Sequence, residues 1–225
     1  MTDTIQSISR SLSADISTLN TISHNIANIN TPGFRAERTL PSFQSQVETG
    51  STTVAYDMAD GALSNTSGTF DLALRGKGFF SIERNGETLL SRAGNFRLDA
   101  EGRLVNGQGD KVLTESGEII LTDPSVRIDN KGQLWAKDRL LGQLKLVDVK
   151  DATQLVPVDG AFRYKGELIQ WKGAVQQGAV EHANVDAADE SIRLMELTRH
   201  VESLQRAISI YDKAMETGIN RIGEN

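Results

Sequence analysis

Glycine divides this chain into three parts. Residues 61–178 contain 16 of the 20 glycines, whereas residues 1–32 and 179–217 contain none. Glycine weakens helices and marks turns, so the two glycine-free ends can form long helices that the middle cannot. Pro32 and Pro41 follow the first end, where a helix has to stop. The distribution predicts an α+β protein with a helix at each end and an all-β middle.

The first end, residues 1–32, carries a heptad repeat of apolar side chains. One apolar row recurs every seven residues, and a second row lies three residues after it, interrupted by Asp15. Most other positions are Ser, Thr, Asn, Asp or Gln, which are mediocre helix formers. We therefore expect a helix that needs a partner for its apolar stripe. The first row is Ile5, Leu12, Leu19 and Ile26, and the second is Ile8, Ile22 and Ile29.

The C-terminal end, residues 179–225, repeats this pattern more strongly. We expect its helix to run from about Asp186 to Ile222, with Asn184 or Asp186 as the N-cap. Each terminal helix has an apolar seam to bury, so the two should pack against each other and against neighbouring copies in a coiled-coil-like layer. The candidate seam residues of this helix are Leu194, Leu197, Val201, Leu204, Ile208 and Tyr211.

Residues 66–178 contain short strand-like runs separated by turn signals at close spacing. Asn85-Gly86 lies between two such runs, and this dipeptide is the strongest short hairpin signal. The segment has no helical period of useful length, which predicts an antiparallel barrel or sandwich. The polar residues 33–65 are expected to form an extended or poorly ordered connector.

Composition excludes several classes of function. With 24 basic and 30 acidic residues the net charge is −6, which disfavours binding to nucleic acid or to an anionic membrane. The chain has no cysteine, so disulfides, thiolate metal sites and cysteine nucleophiles are excluded. No apolar run exceeds three residues, so we expect no membrane-spanning helix. The N-terminus has neither the basic nor the apolar region of a Sec signal peptide.

Motifs for catalysis, metal binding and cofactor binding are missing from the sequence. The three histidines are His24, His182 and His200, and no two have the spacing of metal ligands. We therefore expect no enzymatic activity, no cofactor and no metal. A glycosidase site remains an alternative, because its two carboxylates can come from any part of a β-domain.

An asparagine-rich segment ends the N-terminal helix. Asparagine tolerates left-handed backbone, and Pro32-Gly33 suits a type II turn with a positive φ at Gly33. Phe34 then supplies an apolar anchor. Composition alone favours an ordinary helix C-terminus here. The candidate assembly motif comprises Asn25, Asn28, Asn30, Thr31, Pro32, Gly33 and Phe34.

Three segments, in this order, resemble the bacterial flagellar rod and hook proteins. SHNIANINTPGFRAE, residues 23–37, is similar to the N-terminal signature of that family, with His24 where asparagine is common. Residues 76–113 resemble its central segment, which contains the motif Ser-Arg-x-Gly-x-Phe around Arg92. The segment that opens the C-terminal helix, residues 178–186, is also similar. Its motif residues are Gly178, Glu181, Asn184 and Val185.

The resemblance implies a structural subunit of the flagellar rod, the drive shaft that transmits motor torque to the hook. Chain length and the segment Thr31–Ala36 are most similar to the proximal rod protein, and the distal rod protein is the alternative. An alternative from another class is a carbohydrate-binding or peptidoglycan-acting β-domain that its helices hold in an oligomer.

The resemblance also implies a location and partners. The terminal helices would form an inner tube around the export channel, and the β-domain would lie outside it. The subunit would be exported by the flagellar type III apparatus without a cleaved signal peptide and would reside in the basal body, in the periplasm. Its partners would be copies of itself and neighbouring rod proteins, with neither nucleic acid nor stable membrane insertion involved.

Overall fold

The computed structural model describes residues 2–40, 53–122 and 125–223. Two long helices, α1 (Thr2–Ala27) and α2 (Ala187–Gly223), enclose a β-rich middle in the sequence. The predicted α+β class with a helix at each end is therefore confirmed. The chain divides into two compact units. The helical unit comprises Met1–Ala27, Glu37–Ala55 and Asp186–Asn225, and the β unit comprises Asn28–Ala36 and Tyr56–Val185.

Nineteen strands are present in the described residues, and most of them are two to five residues long. They are β1 (Glu37–Leu40), β2 (Thr53–Tyr56), β3 (Leu63–Asn65), β4 (Leu72–Arg75), β5 (Phe79–Arg84), β6 (Glu87–Ser91), β7 (Arg97–Leu98), β8 (Leu104–Val105), β9 (Lys111–Thr114), β10 (Gly117–Glu118), β11 (Val126–Ile128), β12 (Gln133–Ala136), β13 (Arg139–Gln143), β14 (Leu146–Val149), β15 (Val156–Val158), β16 (Ala161–Arg163), β17 (Leu168–Gln170), β18 (Ala174–Gln177) and β19 (Ala179–Glu181). A 3₁₀ turn, Ala152–Gln154, precedes β15.

The largest sheet has ten strands in the order β15-β16-β6-β5-β9-β8-β7, with β10 added to β9, β14 added to β5, and β17 added to β14. The sheet forks because β5, which pairs with β6 on one side, pairs with two strands on the other side. Phe79 and Phe80 of β5 pair with β14, whereas Ile82 and Glu83 pair with β9. The sequence predicts a barrel or a sandwich, and no closed barrel forms in the described residues.

The other sheets are small. Strands β11, β12 and β13 form a three-stranded antiparallel sheet, and β4 pairs with β18 while β3 pairs with β19. The strands β1 and β2 form a separate pair. The hairpin predicted at Asn85-Gly86 is confirmed, since it joins β5 to β6 with φ of 52° and 79° at these two residues. Two successive positive φ values are those of a type I′ turn.

Strand β5 separates two apolar cores, because successive side chains of a strand point to opposite faces. Phe80 belongs to the larger core, where its ring lies edge-on to Phe96 with centroids 4.9 Å apart. Phe79 belongs to the smaller core and lies edge-on to Phe162 at 5.9 Å. Each fully buried ring of this kind contributes about 1.5–3 kcal/mol to the stability of the β unit.

Helix α2 begins at Ala187, which confirms the predicted start near Asp186. The first eight residues of the C-terminal segment 179–225 precede the helix and include β19, which pairs with β3, and the chain turns into that strand at Gly178 with φ of 71°. The helix starts at Ala187 because the carboxylate of Asp186 accepts hydrogen bonds from the amides of Ala188, at 2.8 Å, and Asp189, at 3.3 Å.

The predicted connector, residues 33–65, contains the strands β1, β2 and β3 in its described parts. Residues 41–52 of this segment lie outside the described residues. Within the part of the chain that the structure describes, neither helix is long and apolar enough to span a membrane.

Candidate assembly site

The asparagine-rich segment forms two consecutive turns after α1. The amide of Thr31 donates to the carbonyl of Asn28 at 2.9 Å, and the amide of Phe34 donates to the carbonyl of Thr31 at 3.2 Å. The Thr31 hydroxyl also bonds the Asn28 side-chain oxygen at 3.1 Å. Gly33 has φ of 68°, so the predicted positive φ is confirmed. Pro32 is half-buried, while the side chain of Asn30 is exposed.

Gly33 lies against the backbone of residues 92 and 93. A Cβ atom on Gly33 would lie 2.4 Å from the carbonyl carbon of Arg92 and 2.4 Å from the amide nitrogen of Ala93. The Gly33 amide donates to the carbonyl of Glu181 at 2.8 Å. Glycine is therefore required here both for its backbone conformation and for the close approach of two chain segments.

A buried carboxylate, Glu181, lies between two buried arginines of the β unit. Its Oε1 is 3.0 Å from Nη1 of Arg35, and its Oε2 is 2.5 Å from Nε of Arg92. Asp60 provides a second carboxylate, 3.0 Å from Arg92 and 3.6 Å from Arg35. Arg92 also donates to the carbonyls of residues 74, 76 and 78. Burial lowers the pKa of Arg35 from its ordinary value, and the charge of Glu181 opposes that shift.

Asn184 joins the same region through four hydrogen bonds. Its side-chain oxygen accepts from the amide of Ala36 at 2.6 Å, and its Nδ2 donates to the carbonyls of Asp57, at 2.8 Å, and Ala59, at 2.9 Å. Its own amide donates to the carbonyl of Phe34 at 3.3 Å. The cap of α2 is Asp186 and not Asn184.

We call these converging residues the motif junction. Sequence reasoning selected Gly33, Glu181 and Asn184 but did not pair them with one another, and it missed the roles of Arg35 and Arg92. Two arginines inside otherwise apolar and glycine-rich motifs were the signal that could have identified them. The motif junction comprises Gly33, Arg35, Asp60, Arg92, Glu181 and Asn184.

The other two residues of the predicted C-terminal motif, Gly178 and Val185, are not part of the motif junction. Gly178, with φ of 71°, accepts from the amide of Thr66 at 2.7 Å and donates to the carbonyl of Asp71 at 2.8 Å. Val185 is half-buried.

Asn25 belongs to a separate network in the helical unit. Its side chain is fully buried, donates to the carbonyl of Glu37 at 2.9 Å and accepts from the amide of Glu37 at 2.8 Å. The same Nδ2 lies 3.3 Å from Oε1 of Glu190, which also bonds Arg38 at 2.5 Å. Asn25 therefore fixes the end of α1 to both β1 and the first turn of α2.

The two heptad rows of α1 have different environments. In the second row Ile22 is 2% exposed and Ile8 is half-buried, and Asp15, which interrupts this row, is held by His200 at 3.0 Å. In the first row, Leu12, Leu19 and Ile26 are 38–40% exposed, and the side chain of Ile5 lies outside the described residues.

Helix α2 buries part of its predicted seam against α1. Most of the predicted seam residues are half-buried, while Ile208 is 37% exposed. Three apolar side chains outside the predicted seam are more exposed still, at 51–69%: Ile192, Met195 and Ile210. The half-buried seam residues are Leu194, Leu197, Val201, Leu204 and Tyr211.

The described residues offer little for catalysis. Across residues 2–40, 53–122 and 125–223, no three His, Cys, Asp or Glu side chains are grouped as metal ligands. The charged groups of the motif junction are paired with one another and with main-chain carbonyls. This arrangement holds chain segments together.

Three family models match the chain. The model described as flagella basal body rod protein matches residues 6–35, the flagellar hook protein FlgE/F/G D1 domain matches residues 73–136, and the flagellar basal body rod FlgEFG protein C-terminal model matches residues 176–222. Each matched segment contributes at least one residue to the motif junction: Arg35, Arg92 and Glu181 respectively.

Relatives that align over most of this chain are flagellar basal-body rod proteins. The flagellar basal-body rod protein FlgF of Mesorhizobium japonicum is 30% identical, covering 88% of this chain and 90% of the relative. FlgF of Caulobacter vibrioides is 29% identical, with 92% of each chain covered. The flagellar basal-body rod protein FlgG of Bacillus subtilis is 29% identical, covering 90% of this chain and 92% of the relative.

Proposed function

The chain belongs to the family of flagellar basal-body rod and hook proteins, and from this we infer that it is a structural subunit of the flagellar rod. The family is one of structural proteins involved in motility, so the chain is not an enzyme. The observation that carries the proposal is the match over about nine tenths of the chain to rod proteins of nearly the same length.

The two helices are the proposed assembly surfaces. α1 exposes the described side chains of its first apolar row, and α2 exposes further apolar side chains outside the face that meets α1. A monomer gains nothing from such rows in water, whereas packing them against neighbouring copies would bury them. Contacts between different faces of identical subunits generate a helical filament, which is the form a rod needs. We propose that these helices form the coiled-coil-like inner layer around the export channel.

The motif junction has a different role in this proposal. It holds the residues that follow α1 and those that precede α2 in one buried network. Buried ion pairs of this kind are strongly destabilising when one partner is removed, because the remaining charge stays uncompensated. The junction would therefore keep the two chain ends at fixed points of the β unit when the rod is under torque.

Chain length supports the proximal subtype, with the distal rod protein as the alternative. The alignments to FlgF of C. vibrioides and M. japonicum extend over 226 residues, whereas those to FlgG of B. subtilis and Buchnera aphidicola extend over 244 and 240 residues. The relatives named FlgF thus match this chain with fewer insertions.

We also propose export through the flagellar type III apparatus without a cleaved signal peptide, and residence in the periplasmic part of the basal body. The absence of cysteine supports this, because such a chain cannot be misoxidised in the periplasm. The partners would be copies of this chain and neighbouring rod proteins.

Fractionation of basal bodies that are truncated at successive stages of rod assembly tests the proposal. A proximal rod subunit should be present in the shortest rods that extend beyond the membrane ring, and in all longer ones. Its appearance only in nearly complete rods would favour the distal subtype. Its absence from all purified basal bodies, despite export, would contradict a rod function.

A further inference from the structure

The β unit contains two Asn-Gly dipeptides, Asn85-Gly86 and Asn106-Gly107. An Asn-Gly dipeptide is chemically labile, because glycine has no side chain to keep its backbone nitrogen away from the side-chain amide of the preceding asparagine. When that nitrogen attacks the Cγ atom of the asparagine, the two residues close into a succinimide ring. The structure places the two dipeptides in opposite environments, so their reactivity should differ.

Asn85 and Gly86 form the exposed tip of the hairpin between β5 and β6. Apart from its neighbours in the chain, nothing lies within 4 Å of the position that a Cβ atom of Gly86 would take. The side chain of Asn85 makes no hydrogen bond within the part of the chain that the structure describes. Exposed loops change their backbone angles within nanoseconds to microseconds. The Gly86 nitrogen can therefore reach the Asn85 side chain without opening the sheet.

Asn106 is held in place by its side chain. It is 7% exposed, and its Nδ2 donates to Oδ2 of Asp110 at 2.8 Å. Its Oδ1 accepts from the amides of Gln108 and Asp110, both at 2.9 Å. To form a succinimide, the side-chain amide has to leave all three hydrogen bonds and turn toward the nitrogen of Gly107. Asn106 can therefore react only after a local opening of this turn.

We propose that Asn85 is a site of spontaneous conversion to isoaspartate and aspartate in the folded protein, whereas Asn106 is preserved. The Gly86 nitrogen loses its proton to hydroxide and bonds to Cγ of Asn85, and Nδ2 takes up a proton from water and leaves as ammonia. Water then opens the ring. Attack at the side-chain carbonyl gives aspartate, and attack at the main-chain carbonyl gives isoaspartate. Water is the only co-reactant, and the inference is independent of the proposed rod function.

The isoaspartate product should weaken the β unit. It lengthens the main chain of the turn by one carbon atom, and the length of a hairpin loop sets the register of its two strands. Here the turn places Arg84 opposite Glu87, and β5 supplies side chains to both apolar cores. We therefore expect molecules with isoaspartate to unfold at a lower urea concentration. The aspartate product should have little effect, because Asp-Gly also suits a type I′ turn.

Incubation of the purified chain in mildly alkaline buffer, followed by peptide mapping with mass spectrometry, tests the proposal. We expect Asn85 to react at least about tenfold faster than Asn106, because the opening at Asn106 breaks three hydrogen bonds. The same chain incubated in concentrated urea is the control, and there both sites should react at similar rates. The variant Asn85→Gln should form no isoaspartate at this turn, because its longer side chain closes a ring far more slowly.

Two results would overturn the inference. One is an equal rate at Asn85 and Asn106 in the folded chain, which would show that the hydrogen bonds of Asn106 give no protection. The other is an unmodified Asn85 in the folded chain together with a modified Asn85 in urea, which would show that the hairpin itself prevents the reaction. Neither result bears on the proposed rod function, because the experiment does not measure assembly.

Discussion

At the scale of single residues, Gly33 shows how one position can be constrained twice. Its positive φ costs any other residue about 1–2 kcal/mol of strain. In addition, a Cβ atom would lie 2.4 Å from the backbone of residues 92 and 93. A turn that served only as a flexible tether would have neither constraint.

We therefore expect Gly33→Ala to lower the free energy of unfolding by clearly more than the matched change Gly86→Ala. Gly86 has φ of 79°, but a Cβ atom there would meet nothing within 4 Å, so this variant has only the backbone strain. Urea unfolding of both variants measures the difference. Equal losses would show that the backbone around Arg92 moves aside without cost.

The ion pair between Arg84 and Asp110 allows a prediction on pH. Two hydrogen bonds of 2.8 and 2.6 Å from Arg84, together with one from Asn106, lower the pKa of Asp110 below its ordinary value. A depressed folded pKa stabilises the fold above the unfolded pKa, and this stabilisation is lost as pH falls through the folded pKa. The stabilisation from this ion pair is therefore lost only in acid, below about pH 4.

Arg84→Gln should reduce the free energy of unfolding by about 1–3 kcal/mol at neutral pH, as expected for hydrogen bonds to a charged group. The difference from wild type should shrink as pH falls below about 4, where Asp110 becomes protonated in both proteins. Arg75→Gln is the control, because the Arg75 guanidinium bonds the neutral side chain of Gln176. Unfolding curves across this pH range measure the difference in the free energy of unfolding between wild type and Arg84→Gln. A difference that stayed constant with pH would contradict the prediction.

At the scale of elements, the important property of the two helices is which apolar side chains each one buries and which it exposes. On α1, Ile22 is buried, whereas Leu12 and Leu19 are 38% and 40% exposed. α2 places Leu197 and Val201 beside these residues, along an apolar groove of about 340 Å³. A helix pair of this kind is stabilised by packing, because the polar composition of α1 gives little helix propensity.

Leu204→Asp should abolish motility and rod assembly while the β unit stays folded. Leu204 is half-buried and lies seven residues after Leu197, which lines the groove between α1 and α2, and burying a charge there is costly. Ser203→Asp is the control, since Ser203 is the exposed neighbour and the added charge is the same. Swimming assays and thermal unfolding measure the two effects. Normal swimming of the Leu204→Asp strain would show that this seam is not required for assembly.

At the scale of the whole molecule, the two units should differ in stability. The β unit has two apolar cores and the motif junction, whereas the helical unit leaves apolar rows exposed. We expect limited proteolysis of the free monomer to remove most of residues 1–27 and 187–223. Mass spectrometry should identify a resistant product that retains the β unit. Full protection of both helices in a verified monomer would contradict this expectation.

The sequence by itself determined the local features of this protein. Heptad spacing predicted a helix at each end, Asn85-Gly86 predicted a hairpin, and Pro32-Gly33 predicted the positive φ. Each of these follows from the steric preferences of a few adjacent residues, so no distant contact is needed to establish it.

Tertiary structure alone decided which distant groups meet. Nothing in the sequence indicates that β5 pairs with both β14 and β9, or that Arg92 bonds a carboxylate 89 positions away. The same holds for the choice of which apolar row of α1 faces α2. Such pairings depend on which segments lie side by side, and many charged and apolar residues could serve each of them equally well. The packing of the cores and the pairing of buried charges decide among them, because a buried charge without a partner is strongly destabilising.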